Sequence, residues 1–439
     1  MNGRMRYAVV GLGSRSEMFT TALLGTYPES CEIVGFCDVN GTRMAYYNKQ
    51  FADRFGASPV PCYDAADFGR MLDEQRVDAL IVTSVDRTHH RYIIGGLEHG
   101  CRVITEKPLT VDAVKCQAIL DATRRTGQRV SVAFNYRYSP RNSMVKRLLA
   151  EGAIGTVLSV HFEWLLDTRH GADYFRRWHR DKRNSGGLMV HKASHHWDLV
   201  NWWLGSRPEK VYGMGRLAFY GRENAEQRGI ARFYERVHGS EAARNDPFAL
   251  DIAGHPKLRG LYLEAEAEDG YLRDQSVFGN NISIEDDMAV LVSYASGATL
   301  SYHLTAYSPW EGYRVMFNGT KGRLELDVTE RSYVSGARDD LNQPGRRDNA
   351  GSADDARTSL LVRPLWEPPR SVEVSAEGAG HGGGDVRMLA SLLGPGPDND
   401  PLARASDHVD GTLAVLPGIA ANQSFATGQP VAIASLVDL

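Results

Sequence analysis

The chain has 439 residues, a formal net charge of −4, 42% hydrophobic and 24% charged residues. That length allows two or three domains with large cores, and the near-neutral balance gives no global bias toward nucleic acid or a membrane surface. No window reaches the ~18 apolar residues of a bilayer span, and five cysteines at spacings matching no zinc site read as reduced thiols of a cytoplasmic protein.

From the N-terminus, short β-branched runs at 7–10, 32–37, 79–83, 102–105 and 129–133 alternate with amphipathic segments at 16–24, 41–55, 68–74, 90–99 and 111–126. This alternation predicts an α/β domain over residues 1–138 with a doubly wound parallel sheet. Gly11 and Gly13 follow the first run and precede the first helix, the context a dinucleotide fingerprint requires. Gly11 permits the tight turn, and Gly13 lets the backbone (with Ser14 and Arg15 next in the loop) approach a pyrophosphate at a helix N-terminus. The third fingerprint position holds Ser16, a small residue that still allows close packing. The second strand ends in Asp38, whose carboxylate suits adenosine ribose hydroxyls and repels a 2′-phosphate. The pattern predicts NAD as cofactor.

The run Thr105-Glu106-Lys107-Pro108-Leu109 closes the fourth of these units, after Thr83 and His89 in the third. Together with Gly11, Gly13 and Asp38 it resembles the glucose–fructose oxidoreductase / inositol dehydrogenase / MocA (Gfo/Idh/MocA) family. The similarity runs over most of residues 5–330 and includes Asn318-Gly-Thr-Lys-Gly-Arg-Leu324. The resemblance implies hydride transfer between NAD(P) and a sugar or polyol carbinol. It implies a cofactor held by Gly11, Gly13, Ser14, Arg15, Asp38, Thr83, His89, Glu106 and Lys107, with Lys107 on the reacting hydroxyl. It also implies a C-terminal domain whose open-faced sheet forms homodimers or homotetramers. Physically, an ammonium at a strand end beside a cationic nicotinamide is disfavoured, so its pKa falls toward a useful range.

After Tyr138 the pattern changes to a helix at 143–151, a strand at 156–165, a helix at 187–204 and alternating strands at 288–294, 299–305, 314–318 and 322–327. Strands without intervening helices predict a second, α+β domain over 139–439 with a mixed or antiparallel sheet. Residues 220–283 read as an insertion that is functional or meets a partner subunit, and 338–356 as a mobile polar loop.

The segment Gly186-Gly-Leu-Met-Val-His-Lys-Ala-Ser-His-His-Trp-Asp198 concentrates proton carriers. As one helix it would project His191 with His195, and Lys192 with His196. The family pattern places His195 in its histidine slot, whereas His191 stands where an aspartate is normal. The site therefore reads as one carboxylate short, with His191, His195 and Lys107 as catalytic candidates. Tyr136, Arg137 and Tyr138, after the last strand of the first domain, are candidate substrate contacts, together with Lys192 and His196. Upstream, Arg169, Arg176, Arg177, Arg180, Lys182 and Arg183 are interleaved with aromatics. They read either as a solvated loop paired with Asp173 and Asp181, or as recognition of an anionic sugar, with Arg177 the substrate-binding candidate.

Three functional readings stay open at this point. The favoured one is redox-neutral hydrolysis of a glycoside, through oxidation, elimination, water addition and re-reduction, with an anionic sulfoquinovoside as one substrate. The second is net dehydrogenation of a sugar or polyol. The third is a divalent-metal site on His191 and His195; the expectation remains that no metal is bound.

Overall fold

The computed structural model describes residues 3–335, 356–374, 383–394 and 400–439. Strands β1 (Met5–Val10), β2 (Cys31–Asp38), β3 (Cys62–Asp64), β4 (Ala79–Val82), β5 (Arg102–Thr105) and β6 (Val130–Val132) form a sheet in the order 3-2-1-4-5-6. Every pairing is parallel. Ala8, Val9, Val10, Leu80, Ile81, Val82, Val103 and Ile104 are fully buried, because helices cover both faces. Helices α1 (Ser16–Thr21), α2 (Gly41–Phe55), α3 (Phe68–Glu74), α4 (His89–Glu98) and α5 (Ala113–Thr126) fall close to their expected spans. Side-chain caps fix the starts of two of them: Asn40 accepts from Arg43 N, and Asp112 from Lys115 N. The strand order reverses between β1 and β4, which opens the ligand crevice beyond their C-terminal ends.

The chain then runs through α6 (Pro140–Ala150) into a nine-stranded mixed sheet. Its centre is β7 (Val157–Asp167), β8 (Pro208–Arg216), β9 (Asp287–Tyr294), β10 (Thr299–Ser308), β11 (Glu311–Gly319) and β12 (Gly322–Arg331). Among the described residues, only β7 and β10 of this sheet pair in parallel. Alternate residues are buried, among them Phe162, Trp164, Tyr302 and Tyr313, which pack under the helices. The opposite face leaves Met214 and Leu291 more than half exposed, at 65% and 57%.

Three features depart from the sequence expectations. The helix expected at 187–204 is interrupted: it runs Leu188–His191, then Ser194–Leu204, with Lys192 and Ala193 between. His195 N bonds Lys192 O rather than the carbonyl four residues back. The C-terminal helices Gly384–Leu393 and His408–Thr427 gave no expectation, yet the first buries Met388, Leu389, Leu392 and Leu393 in the core of the nucleotide half. The insertion folds as short helical pieces: its ends, with Tyr220, Ala225, Val277 and Phe278, pack in the core of the second half, while 256–269 lies on the nucleotide half, where Leu261 joins that same core. The loop expected at 338–356 lies, except for its last residue, outside the described residues.

Candidate active site

The cofactor end begins at Gly11, which has φ +86°, and a Cβ there would collide with the backbone of Thr83 and Ser84. The β1 and β4 loops thus touch only because position 11 has no side chain. Thr83 Oγ donates to Gly11 O at 2.6 Å and ties the loops together. Asp38 is buried at the end of β2, where its two oxygens accept Leu12 N (2.5 Å) and Asn40 N (3.0 Å). Burial pushes its carboxyl up, and those N–H groups with nearby Arg43 pull it back. Ser14 N donates to the hydroxyl of Tyr262 at 3.0 Å, so the insertion reaches the phosphate loop itself. Beside Asp38 the buried Arg43 Nη2 lacks a hydrogen-bond partner among the described residues. A hydroxyl-bearing ribose suits a corner that pairs a buried carboxylate with an unsatisfied guanidinium donor. The residues therefore fit a nicotinamide adenine dinucleotide.

The turn after β5 brings the chemistry in. Glu106 accepts from Arg15 Nε (2.5 Å) and from Lys107 N (3.1 Å), which links the phosphate loop to this turn. The Lys107 ammonium donates to His191 O at 3.2 Å and is nearly buried. His191 donates its Nδ1–H to Asp86 at 2.5 Å, an assignment that leaves Nε2 as the proton acceptor. Burial drives Asp86 well above the ordinary carboxylate range; Lys107 opposes this and Glu106 adds to it. The carboxylate that seemed to be missing is thus Asp86, contributed by the loop after β4. Residues 83–89 placed it at the cleft end of a strand, the signal that sequence reasoning passed over.

A second pair lies alongside. Lys192 donates to the Tyr136 hydroxyl at 3.2 Å, and its ammonium stands 4.6 Å above the Trp164 ring. His195 stacks on Tyr136 with centroids 4.3 Å apart. The broken helix separates the histidines that one helix would have paired: His191 packs edge-on to His179 at 4.2 Å, while His195 meets Tyr136 and Phe134. Among the described residues, no three His, Cys, Asp or Glu come together as a metal site.

A third network continues outward through α7 (His170–Arg176). Glu311 and His170 Nδ1 are 2.6 Å apart, and His170 Nε2 is 3.1 Å from the Tyr174 hydroxyl. The Tyr174 ring lies 5.5 Å from that of His191. Burial, reinforced by Glu330 and opposed by Lys192 and Arg331, pushes Glu311 up to about 7.

Several sequence candidates have other surroundings. Arg137 grips Asp198 through Nε (2.9 Å) and Nη2 (2.5 Å), both fully buried, and so joins domains rather than facing a ligand. Tyr138 bonds Ser391 of the C-terminal helix at 3.1 Å. His196 is wholly buried behind Trp164, its Nδ1 2.6 Å from the Tyr302 hydroxyl, which makes it a support of the site wall. Both nitrogens of His89 face carbonyls, Pro108 O and Ser84 O, so it braces two loops. The arginine-rich segment is largely neutralised within the chain: Arg176, Arg177 and Arg273 converge on Asp173, and Arg183 pairs with Asp181. Of these, Arg177 lies near enough to Asp86 to lower its carboxyl, with its guanidinium over Tyr174.

The comparisons agree with this architecture. Residues 5–134 match an oxidoreductase family's NAD-binding Rossmann fold, and 146–433 its C-terminal alpha/beta domain. YteT of Bacillus subtilis (strain 168), named as an oxidoreductase, is 36% identical over 409 residues, covering 90% of this chain and 89% of that protein. The scyllo-inositol 2-dehydrogenase (NAD(+)) of the same bacterium is 24% identical over 293 residues, covering 63% and 77%. Among solved structures, an aldose-aldose oxidoreductase from Caulobacter crescentus complexed with glycerol has a TM-score of 0.60 at 15% identity, covering 98% of this chain and 99% of its own. An oxidoreductase from Agrobacterium radiobacter in complex with NAD+, L-tartaric acid and magnesium also has a TM-score of 0.60 at 15% identity, covering 99% and 100%. Among the described residues, no helix is long and apolar enough to cross a membrane. On both family matches, the protein belongs to the Gfo/Idh/MocA oxidoreductase family.

Proposed function

We propose that this oxidoreductase takes hydride from a ring carbinol of a cyclic polyol or sugar, with NAD as its dinucleotide. The observation that carries this reading is Lys107 at the end of β5, 3.2 Å from His191 O and beside the His191–Asp86 pair. The bound dinucleotide would supply the hydride acceptor, held by Gly11, Gly13, Ser14, Asp38 and Glu106. Lys107 would orient the reacting hydroxyl. His191, with Asp86 fixing its tautomer, would accept the hydroxyl proton through Nε2. The near-burial of Lys107 and His191 excludes water from that transfer.

A second reading, redox-neutral glycoside cleavage, is favoured by one observation: proton carriers stand in three separate groups, Asp86–His191, Lys192–Tyr136 and Glu311–His170–Tyr174. Simple dehydrogenation needs one such group, whereas elimination and addition around a ring need more. With Asp86 present, a missing carboxylate no longer argues for it. Internal pairing of the arginines, Arg177 with Asp173 among them, weakens the case for an anionic substrate. One assay separates the readings. Protein and NAD+ are given inositols, sugars and nitrophenyl glycosides, and NADH and released nitrophenol are followed. Stoichiometric NADH without nitrophenol is expected for net dehydrogenation; catalytic nitrophenol release with trace NAD+ would overturn it.

The third group gives a pH prediction. Glu311 is raised from 4.5 to about 7, so the folded protein holds its proton more firmly than the unfolded chain does. The resulting stability is present below pH 4.5 and lost as pH climbs through about 7. Glu311→Gln is expected to flatten that loss, by at least ~2 °C in Tm between pH 5 and 8. An unchanged pH slope would refute the assignment.

We also assign the open sheet face, with Met214 and Leu291, as a homo-oligomer interface in a reducing, cytoplasmic setting. Light scattering after gel filtration tests it, and a monomer would overturn it.

A further inference from the structure

The insertion places two consecutive carboxylates, Glu268 and Asp269, at the adenosine-ribose corner. Glu268 accepts from the N-terminus of α2, from Gly41 N at 2.5 Å and Thr42 N at 2.9 Å. Asp269 pairs with Arg43 Nη1 at 2.7 Å, and Arg43 Nε is held by Leu261 O at 3.1 Å. Asn40, between Asp38 and α2, donates to Ala265 O at 2.9 Å and fixes the insertion in place. A helix N-terminus and an adjacent arginine are the two groups with which a Rossmann corner takes a 2′-phosphate. Here both are already engaged by carboxylates of the chain itself. Arg43 is more than nine-tenths buried and keeps one donor, Nη2, without a partner among the described residues. One orphan donor matches a neutral ribose hydroxyl; it does not match a dianion.

We propose that Glu268 and Asp269 determine cofactor selectivity: they occupy the anion site formed by α2 and Arg43 and so exclude NADP from a corner that accepts NAD. The inference rests on the dinucleotide reading and adds a determinant that lies about 230 residues from Asp38, inside the insertion. A 2′-phosphate entering here would meet Asp38, Glu268 and Asp269 with one guanidinium among them, and like charges at such range repel. With the two carboxylates removed, Arg43 and the α2 amides become free to bind it.

The test is binding, followed by calorimetry, of NAD+, NADP+, ADP and 2′,5′-ADP to the full chain. The wild type is expected to bind NAD+ over NADP+, and ADP over 2′,5′-ADP, by at least ~100-fold. In Glu268→Gln/Asp269→Asn, affinity for NADP+ and 2′,5′-ADP should rise at least ~10-fold while NAD+ stays within ~3-fold. Adding Arg43→Ala should abolish that gain. Equal wild-type affinity for ADP and 2′,5′-ADP overturns the inference without any variant, which matters if the double variant folds poorly. An unshifted ratio in a folded double variant also overturns it. A wild type that binds neither dinucleotide would instead overturn the cofactor reading itself.

Discussion

Lys107→Ala is expected to lower turnover by at least ~10²-fold while leaving dinucleotide affinity within a few-fold of wild type. The ammonium reaches His191 O from the end of β5 and lowers the carboxyl of the buried Asp86, so its loss acts twice. The substrate hydroxyl loses its donor. Asp86, left with Arg177 as the cation that offsets its burial, is driven further toward the neutral acid and holds His191 less firmly as a proton acceptor. Lys107→Arg separates charge from proton transfer. A guanidinium keeps the positive charge but does not give up a proton near neutral pH, so it should be as poor as alanine if Lys107 relays a proton. His195→Ala is expected to cost at least ~10²-fold as well, acting against Tyr136, on which it stacks. Steady-state rates with the best polyol from the panel, alongside dinucleotide titration by tryptophan fluorescence, decide it. Near-normal turnover in Lys107→Ala would remove Lys107 from the mechanism.

The nucleotide half was legible because its signals are local. Short β-branched runs, amphipathic helical segments and the Gly11–Gly13 loop are each defined within a few neighbouring residues, and the structure reproduces those spans. Asp38 and Lys107 were readable for the same reason: each ends a strand, and strand ends in such sheets face the ligand. What remained hidden depends on long-range contact. Asp86 meets His191 across 105 positions, and Tyr262 meets Ser14 across 248. No periodicity reports such meetings. The Leu188–Leu204 stretch misled because its pattern is helical throughout while its backbone is interrupted at Lys192 and Ala193. That interruption moves His195 away from His191 and toward Tyr136. The arginines misled differently. Composition showed their charge, but not that Asp173 would gather two of them together with the distant Arg273.

Asp198→Ala should cost about 3–5 kcal/mol of folding stability, the largest single effect expected outside the catalytic groups. Asp198 lies on the Ser194–Leu204 helix and Arg137 in the turn after β6, so their bidentate contact joins the two halves of the molecule. Removing the carboxylate leaves a buried guanidinium whose remaining acidic neighbour, Asp410, lies 3.4 Å away on a half-exposed side chain. That is weak compensation for a charge kept from water. Replacing both partners with apolar residues, as in Arg137→Met/Asp198→Leu, should return stability to within ~1 kcal/mol of wild type, since no charge is left stranded. The double variant also bears on the site, because Arg137 adjoins Tyr136, the partner of Lys192. If the ion pair positions that tyrosine, the double variant will fold well and still lose turnover. Denaturant unfolding monitored by fluorescence measures the first quantity and steady-state kinetics the second. Were Asp198→Ala to lose less than ~1 kcal/mol, the pair would be no more than a surface-like contact, and the tie between the two halves would have to lie in the C-terminal helices instead.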